Sequence, residues 1–191
     1  LLEALNTMIA KMDATSESYK NTDDNEFLNN MAKIKLYNAA LNIKWDRLEH
    51  ATDNIQWVLE NFPNNPQAHY LSGEIYRLKA EDKNRLKNEL NNKSWAELNK
   101  GHKKNELEEI WLKKSAEEYN SAINCGAKFA DSYKGLAHLL YYKNDLDGAL
   151  INLNKYLEIA PNAPDTRYIK NLIERINKGK IKQNLQAKEE K

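Results

Sequence analysis

Apolar residues recur along this chain at intervals of three and four, the spacing that lines one face of a helix. The clearest run is Tyr133, Leu136, Ala137 and Leu140, followed by Ala149, Leu153 and Tyr156. It predicts two antiparallel helices joined at Asn144, one of the few non-Gly residue types that enters the left-handed backbone region cheaply. Small residues at Ala137 and Ala149 let the two helices approach closely, and the larger ones fill the space around them. Six Gly and four Pro are too few turn formers for a strand-rich chain of 191 residues. The prolines fall in two clusters, Pro63/Pro66 and Pro161/Pro164, where each ends or opens a helix. The predicted class is all-α.

The pattern recurs upstream. Pro66 opens a helix carrying Gly73 and Tyr76, and its partner helix arrives only with Ser115, Tyr119 and Ala122, so residues 82–112 read as a helical insertion. Within it, the helix from Pro66 is expected to run past Leu86 and Leu90. Ser94 with Glu97, and Asn105 with Glu108, have the spacing of capping boxes for two further helix starts. A more degenerate copy spans 32–65. Ala51, Ile55 and Val58 fit its second helix, whereas its first fits after a one-residue shift that turns Leu36, Ala39, Ala40 and Ile43 inward. Leu2, Leu5, Ile9 and Met12 stripe an N-terminal helix, and Asp23 with Glu26 caps the next. Tyr168, Leu172, Ile173 and Ile176 stripe a last helix. Past Gly179 the polar composition predicts a disordered tail.

The stretch Ala130–Ala163, ADSYKGLAHLLYYKNDLDGALINLNKYLEIAPNA, resembles the tetratricopeptide repeat family. Tyr133, Leu136, Ala137, Leu140, Ala149, Leu153 and Pro161 fit that family's pattern, and Tyr156 departs from it where a small residue is usual. The resemblance implies a right-handed α-solenoid of about three helix pairs with a cap at each end. Its division would be an N-terminal capping helix and linker at 1–31, a degenerate repeat at 32–65 and an interrupted repeat at 66–129. A third repeat at 130–163, a capping helix at 164–178 and the tail at 179–191 would follow.

The resemblance also implies a non-catalytic scaffold that binds a protein or peptide in a concave groove. The groove would be lined by Gln67, Tyr70, Glu74 and Arg77 of one repeat and by Asp131, Lys134, His138 and Tyr141 of the next, with Tyr142 beside them. Some family members grip a terminal carboxylate with Lys and Asn in the first repeat and with Lys and Arg in the third. Here those places hold Leu36 and Ala40 (Tyr37 and Leu41 after the shift), Asp131 and Gly135, so that clamp is missing. Trp95 in the insertion is a second candidate interface residue, while Trp111 falls on an apolar stripe and reads as core.

Charge narrows the function further. The net charge is +1 with both signs interspersed, unlike the one-sided basic excess of a nucleic-acid binder. No apolar run approaches the ~20 residues of a membrane span. Cys125 is the only cysteine, which rules out an internal disulfide. At a helix end beside Gly126 it lies where the helix dipole disfavours a thiolate. His50, His69, His102 and His138 form no metal-binding motif, and there is no phosphate-cradling loop or GxSxG, so no enzyme activity, metal or cofactor is expected. Lys in excess of Arg and abundant Asn read as the codon bias of an AT-rich, bacterial genome. The chain starts at Leu1, and both the cytoplasm and, after removal of a signal, the envelope stay open as compartments. Two other readings stand beside the scaffold. One is an accessory region of a larger envelope enzyme, on the likeness of APNAPDTRYIKNLIERI to repeats that accompany a peptidase domain. The other is a self-assembling structural unit.

Overall fold

The computed structural model describes residues 25–82, 104–126 and 128–189. Among these residues the chain is all-helical and has no strand. The helices are α1 (Asn25–Lys44), α2 (Leu48–Asn61), α3 (Pro66–Glu81), α4 (Lys104–Cys125), α5 (Ala130–Tyr142), α6 (Leu146–Ile159) and α7 (Thr166–Glu189).

Local chemistry sets where they begin and end. The Asn65 carboxamide oxygen accepts from the Ala68 N–H at 2.9 Å, and Pro66 fills the first turn, where its missing N–H is no loss. Asp145 caps α6 in the same way through the Gly148 N–H at 2.9 Å. Helices α1 and α5 close with one turn form. Asp46 and Asn144 stand at φ 59° and 61°. The N–H that follows each returns to the helix, from Arg47 to the Asn42 carbonyl at 2.8 Å and from Asp145 to the Leu140 carbonyl at 2.9 Å. The helix-end carbonyls are thereby satisfied without a glycine.

The helices pack as consecutive pairs, α1 with α2, α3 with α4 and α5 with α6. Each pair rests on the next through α2/α3 and α4/α5, and α7 covers α6. Helices α1, α3 and α5 also touch one another in chain order, forming one layer. Three apolar clusters follow: one shared by α1, α2 and α3, one by α3, α4 and α5, and one by α5, α6 and α7. Ala39 with Ala51, and Ala137 with Ala149, are shut in at the helix crossings. In the middle pair Gly73 and Ser115 take those places, and the Ser115 hydroxyl donates to the Gly73 carbonyl at 2.9 Å. Leu153 is fully buried, which contributes about 1.5–3 kcal/mol.

Tyr119 is the hub of the middle cluster. The ring is wholly buried and lies between α3 and α5, against glycine on both sides. A β-carbon on Gly73 would stand 2.7 Å from it, and one on Gly135 2.5 Å. Its hydroxyl donates to the Glu74 carboxylate.

The structure departs from the sequence expectations at three places. No one-residue shift exists in the first pair, because α1 ends in the same turn as α5. The buried face of α1 includes Lys35, Leu36, Asn38, Ala39 and Asn42, while Ala40 and Ile43 are only partly buried against the cluster. The Asn42 amide donates to both the carbonyl (2.9 Å) and the side chain (3.0 Å) of Asn38, and the Lys35 ammonium stands over the Trp57 ring at 5.0 Å. The partnered amide and ammonium tolerate burial, while the Asn42 side-chain oxygen is buried without a hydrogen-bond partner among the described residues. Second, α3 ends before the expected continuation through Leu86 and Leu90, which lie outside the described residues. It stops at Glu81, and Asp82, a weak helix former, is extended. Third, the tail expected to be disordered from Gly179 continues α7 to Glu189. Its Lys, Gln, Glu and Ala are good helix formers, set against about 1 kcal/mol for one glycine, and Lys180 pairs with Asp147. The expected N-terminal helix over 1–20, the Asp23 cap, Trp95 and the Ser94–Glu97 start lie outside the described residues.

Candidate functional site

The predicted groove residues sit on α3 and α5, two adjacent helices of the layer formed by α1, α3 and α5. On α3, Glu74 and Arg77 lie one turn apart and Glu81 one turn further on. The Arg77 guanidinium pairs with Glu74 at 2.8 Å and with Glu81 at 2.7 Å. Burial alone would favour a neutral Arg77; the hydrogen bond and charge of Glu74 outweigh it and hold the group firmly cationic. Glu74 also receives the Tyr119 hydroxyl, so its carboxylate ties α3 to α4. Tyr70 faces the same way but is largely absorbed in packing. Its ring lies 6.0 Å from that of Tyr119 and 5.6 Å, edge-on, from Phe129. Burial first, and the Glu74 charge second, push its phenol well above the ordinary value. Gln67 is exposed.

On α5, Lys134 is held twice, by Asp131 at 3.0 Å and by Asp165 at 2.9 Å, in the turn before α7. It also stands 5.0 Å over the Tyr156 ring, and the Tyr156 hydroxyl donates to Asp165. Burial pulls the Lys134 ammonium down, but its bonds to Asp165 and Asp131 prevail and its pKa is raised. Burial and the Asp165 bond raise the Tyr156 phenol to about 12. Tyr156, which breaks the repeat pattern, therefore serves as the buried partner of a charged network. Beside that network lies a cavity of about 460 Å³ with Asp131, Lys134, Tyr156 and Asp165 on its wall and Ala130, Ala160 and Ala163 among its small apolar lining.

His138 lies one turn beyond Lys134. Burial, then the nearby Arg77 charge, lower its pKa, so it adds no positive charge at neutral pH. Tyr141, a turn further on, is 43% exposed, and neighbouring Tyr142 46% exposed; the Tyr142 hydroxyl donates to Glu108 of α4 at 2.7 Å. The structure thus brings Glu74 together with Arg77 and Asp131 together with Lys134, in two groups, with the Tyr70 ring packed beside the first. Asp165, Glu81, Tyr119 and Tyr156 belong to these groups, and sequence reasoning does not mark them as site residues. The one sequence signal for them is Tyr156 standing where a small residue is expected. A second cavity of about 420 Å³ lies between α2, α3 and α4, lined by Ile55, Leu59, Ile75 and Tyr76 with Lys79 and Glu118.

Asp165 offers a pH test. Burial raises its pKa, but the Tyr156 and Lys134 hydrogen bonds outweigh that, and the folded value is lowered. A depressed carboxylate pKa stabilises the fold above its unfolded value, about 3.9, and the benefit disappears as pH falls through the folded value. Asp165→Asn is expected to lose about 1 kcal/mol at pH 7, a figure already reduced for solvent screening. The urea-unfolding gap between the variant and the parent should shrink as pH falls below about 3.9 and close once the lower folded value is passed; a gap undiminished in acid would refute the linkage.

No family model matches the chain, and no curated protein sequence matches it significantly. Among the described residues no helix is long and apolar enough to cross a membrane.

Proposed function

We propose that this chain is a non-catalytic binding module of tetratricopeptide type, in which α1/α2, α3/α4 and α5/α6 are successive repeats and α7 caps the last. Support comes from the identical closing turns at Asp46 and Asn144, from small residues at all three helix crossings, and from contact between successive first helices. In such a stack the face shared by α1, α3 and α5 is the concave one, and it receives a protein or peptide. The observation that carries the reading is that this face presents tyrosine, Tyr141 and Tyr142, beside charged groups already fixed in place by their neighbours. Preordered charges and a rigid aromatic lose little entropy on binding, a property of recognition surfaces.

The test is capture of native partners from lysate of the source organism. Tyr141→Glu is expected to reduce capture about tenfold, or ~1.4 kcal/mol. Ile151→Glu, at the most exposed large apolar residue of α6, is expected to change nothing. Equal recovery by the parent and Tyr141→Glu would end the groove reading, and loss with Ile151→Glu alone would move the interface to the other side.

A further inference from the structure

The charges on this face specify the partner's chemistry, if the binding role proposed above holds. Among the described residues of α3 and α5, two cations are held in ion pairs: Arg77 by Glu74 and Glu81, Lys134 by Asp131 and Asp165. In these ion-pair groups two cations stand against four carboxylates, and His138 is held toward its neutral form. An incoming carboxylate or phosphate would have to break an existing pair to reach a cation. An incoming ammonium or guanidinium meets surplus negative charge at once. Asp131 is the most accessible of the four, its side chain 47% exposed against 35% for Asp165, 34% for Glu81 and 17% for Glu74. It lines the 460 Å³ cavity, whose small apolar residues Ala130, Ala160, Ala163 and Pro164 suit the aliphatic stem of a long basic side chain. Tyr141, on the same helix, offers its ring for an apolar or cationic contact.

We infer that the inner face of α3 and α5 takes an extended basic peptide, with one Lys or Arg seated between Asp131 and the small residues of the cavity formed by α5, the end of α6 and the turn before α7. On this arrangement Lys134 is a competitor for the same carboxylates and sets an upper limit on affinity.

The probes are two fluorescein-labelled peptides, Gly-Ser-Arg-Leu-Lys-Arg-Ser-Gly and its counterpart with Glu at the three basic places, titrated by anisotropy against the full chain. The basic peptide should bind at least about tenfold tighter. Asp131→Asn should weaken it about threefold, the scale of a partly exposed charge pair. Lys134→Met should strengthen it about threefold by releasing both aspartates; a merely structural Lys134 would move it the other way. Glu49→Gln, exposed on α2, should leave it unchanged. Circular dichroism verifies that each variant is folded. Failure of the basic peptide to bind, equal or tighter binding of the acidic one, or an equal loss with Glu49→Gln would each overturn the inference. Should Tyr141→Glu still abolish capture of native partners in that case, the binding face would stand and only its preference for basic ligands would fall. A basic-peptide preference that responds to Asp131, together with native capture indifferent to Tyr141, would instead keep the basic-peptide site and remove the Tyr141 face.

Discussion

Tyr119→Ala is expected to lose about 3–5 kcal/mol of folding stability, the range for removing a large aromatic from a core that cannot collapse around the gap. The ring is fully buried and its neighbours on both sides are glycines, which have no side chain to swing into the space. The variant also leaves Glu74 without its hydroxyl donor. For a domain with the usual 5–15 kcal/mol in total, this leaves a marginal fold. Tyr119→Phe separates the two effects: it keeps the ring and removes only a charge-assisted hydrogen bond, for about 1.5–3 kcal/mol. Urea denaturation followed at 222 nm measures both. A loss below about 1 kcal/mol for the alanine variant would show that the ring does not hold the middle of the molecule together.

Gly135→Ala should also destabilise, and here the sign is informative. Replacing glycine by alanine inside a helix normally gains about 1 kcal/mol. At this position the new methyl carbon would stand 2.5 Å from the Tyr119 ring, a distance that real contacts do not reach, and the buried ring has nowhere to move. Overpacking of this kind costs about 1–3 kcal/mol; set against the gain of about 1 kcal/mol, a net loss of about 1 kcal/mol is expected. Gly73→Ala meets the same ring, at its Cδ1 and Cε1 atoms, at 2.7 Å and should behave alike. Because both act through one side chain, the double variant should lose less than the two singles added together. Thermal unfolding of the three variants decides it. A Gly135→Ala protein as stable as the parent would mean that α5 and α4 are not pressed together as described.

These two sites also show what the sequence can reveal. The α5–α6 pair is legible because Leu153, Ala137 and Ala149 are apolar and buried, so periodicity and burial agree. The first pair misleads for the opposite reason. Asn38 and Asn42 occupy buried places on α1 by bonding to each other, and Lys35 by lying over Trp57. A pattern of hydrophobic spacing assigns such residues to solvent, and slipping the helix by one residue is the only way to save the pattern. The turn at Asp46 carries the correct register, since Asp there matches the left-handed Asn144.

The charged groups are half legible. Helical spacing places Glu74 with Arg77, and Asp131 with Lys134, on common faces. The pairing of Lys134 with Asp165 and of Tyr119 with Glu74 joins elements distant in the chain and depends on how the helices stack, which local spacing does not encode. Tyr70 reads as a groove contact because its position on α3 faces that way. The large rings of Tyr119 and Phe129 reach it there and draw it into the packing.

Cys125 ends α4 half-exposed, its sulfur 3.9 Å from the Asn64 side-chain oxygen in the turn between α2 and α3. As the only thiol in the sequence, it gives a fluorophore or spin label a single attachment point with no substitution elsewhere. That point sits at the joint between the first two helix pairs, so a label there would report on bending between them in the native chain.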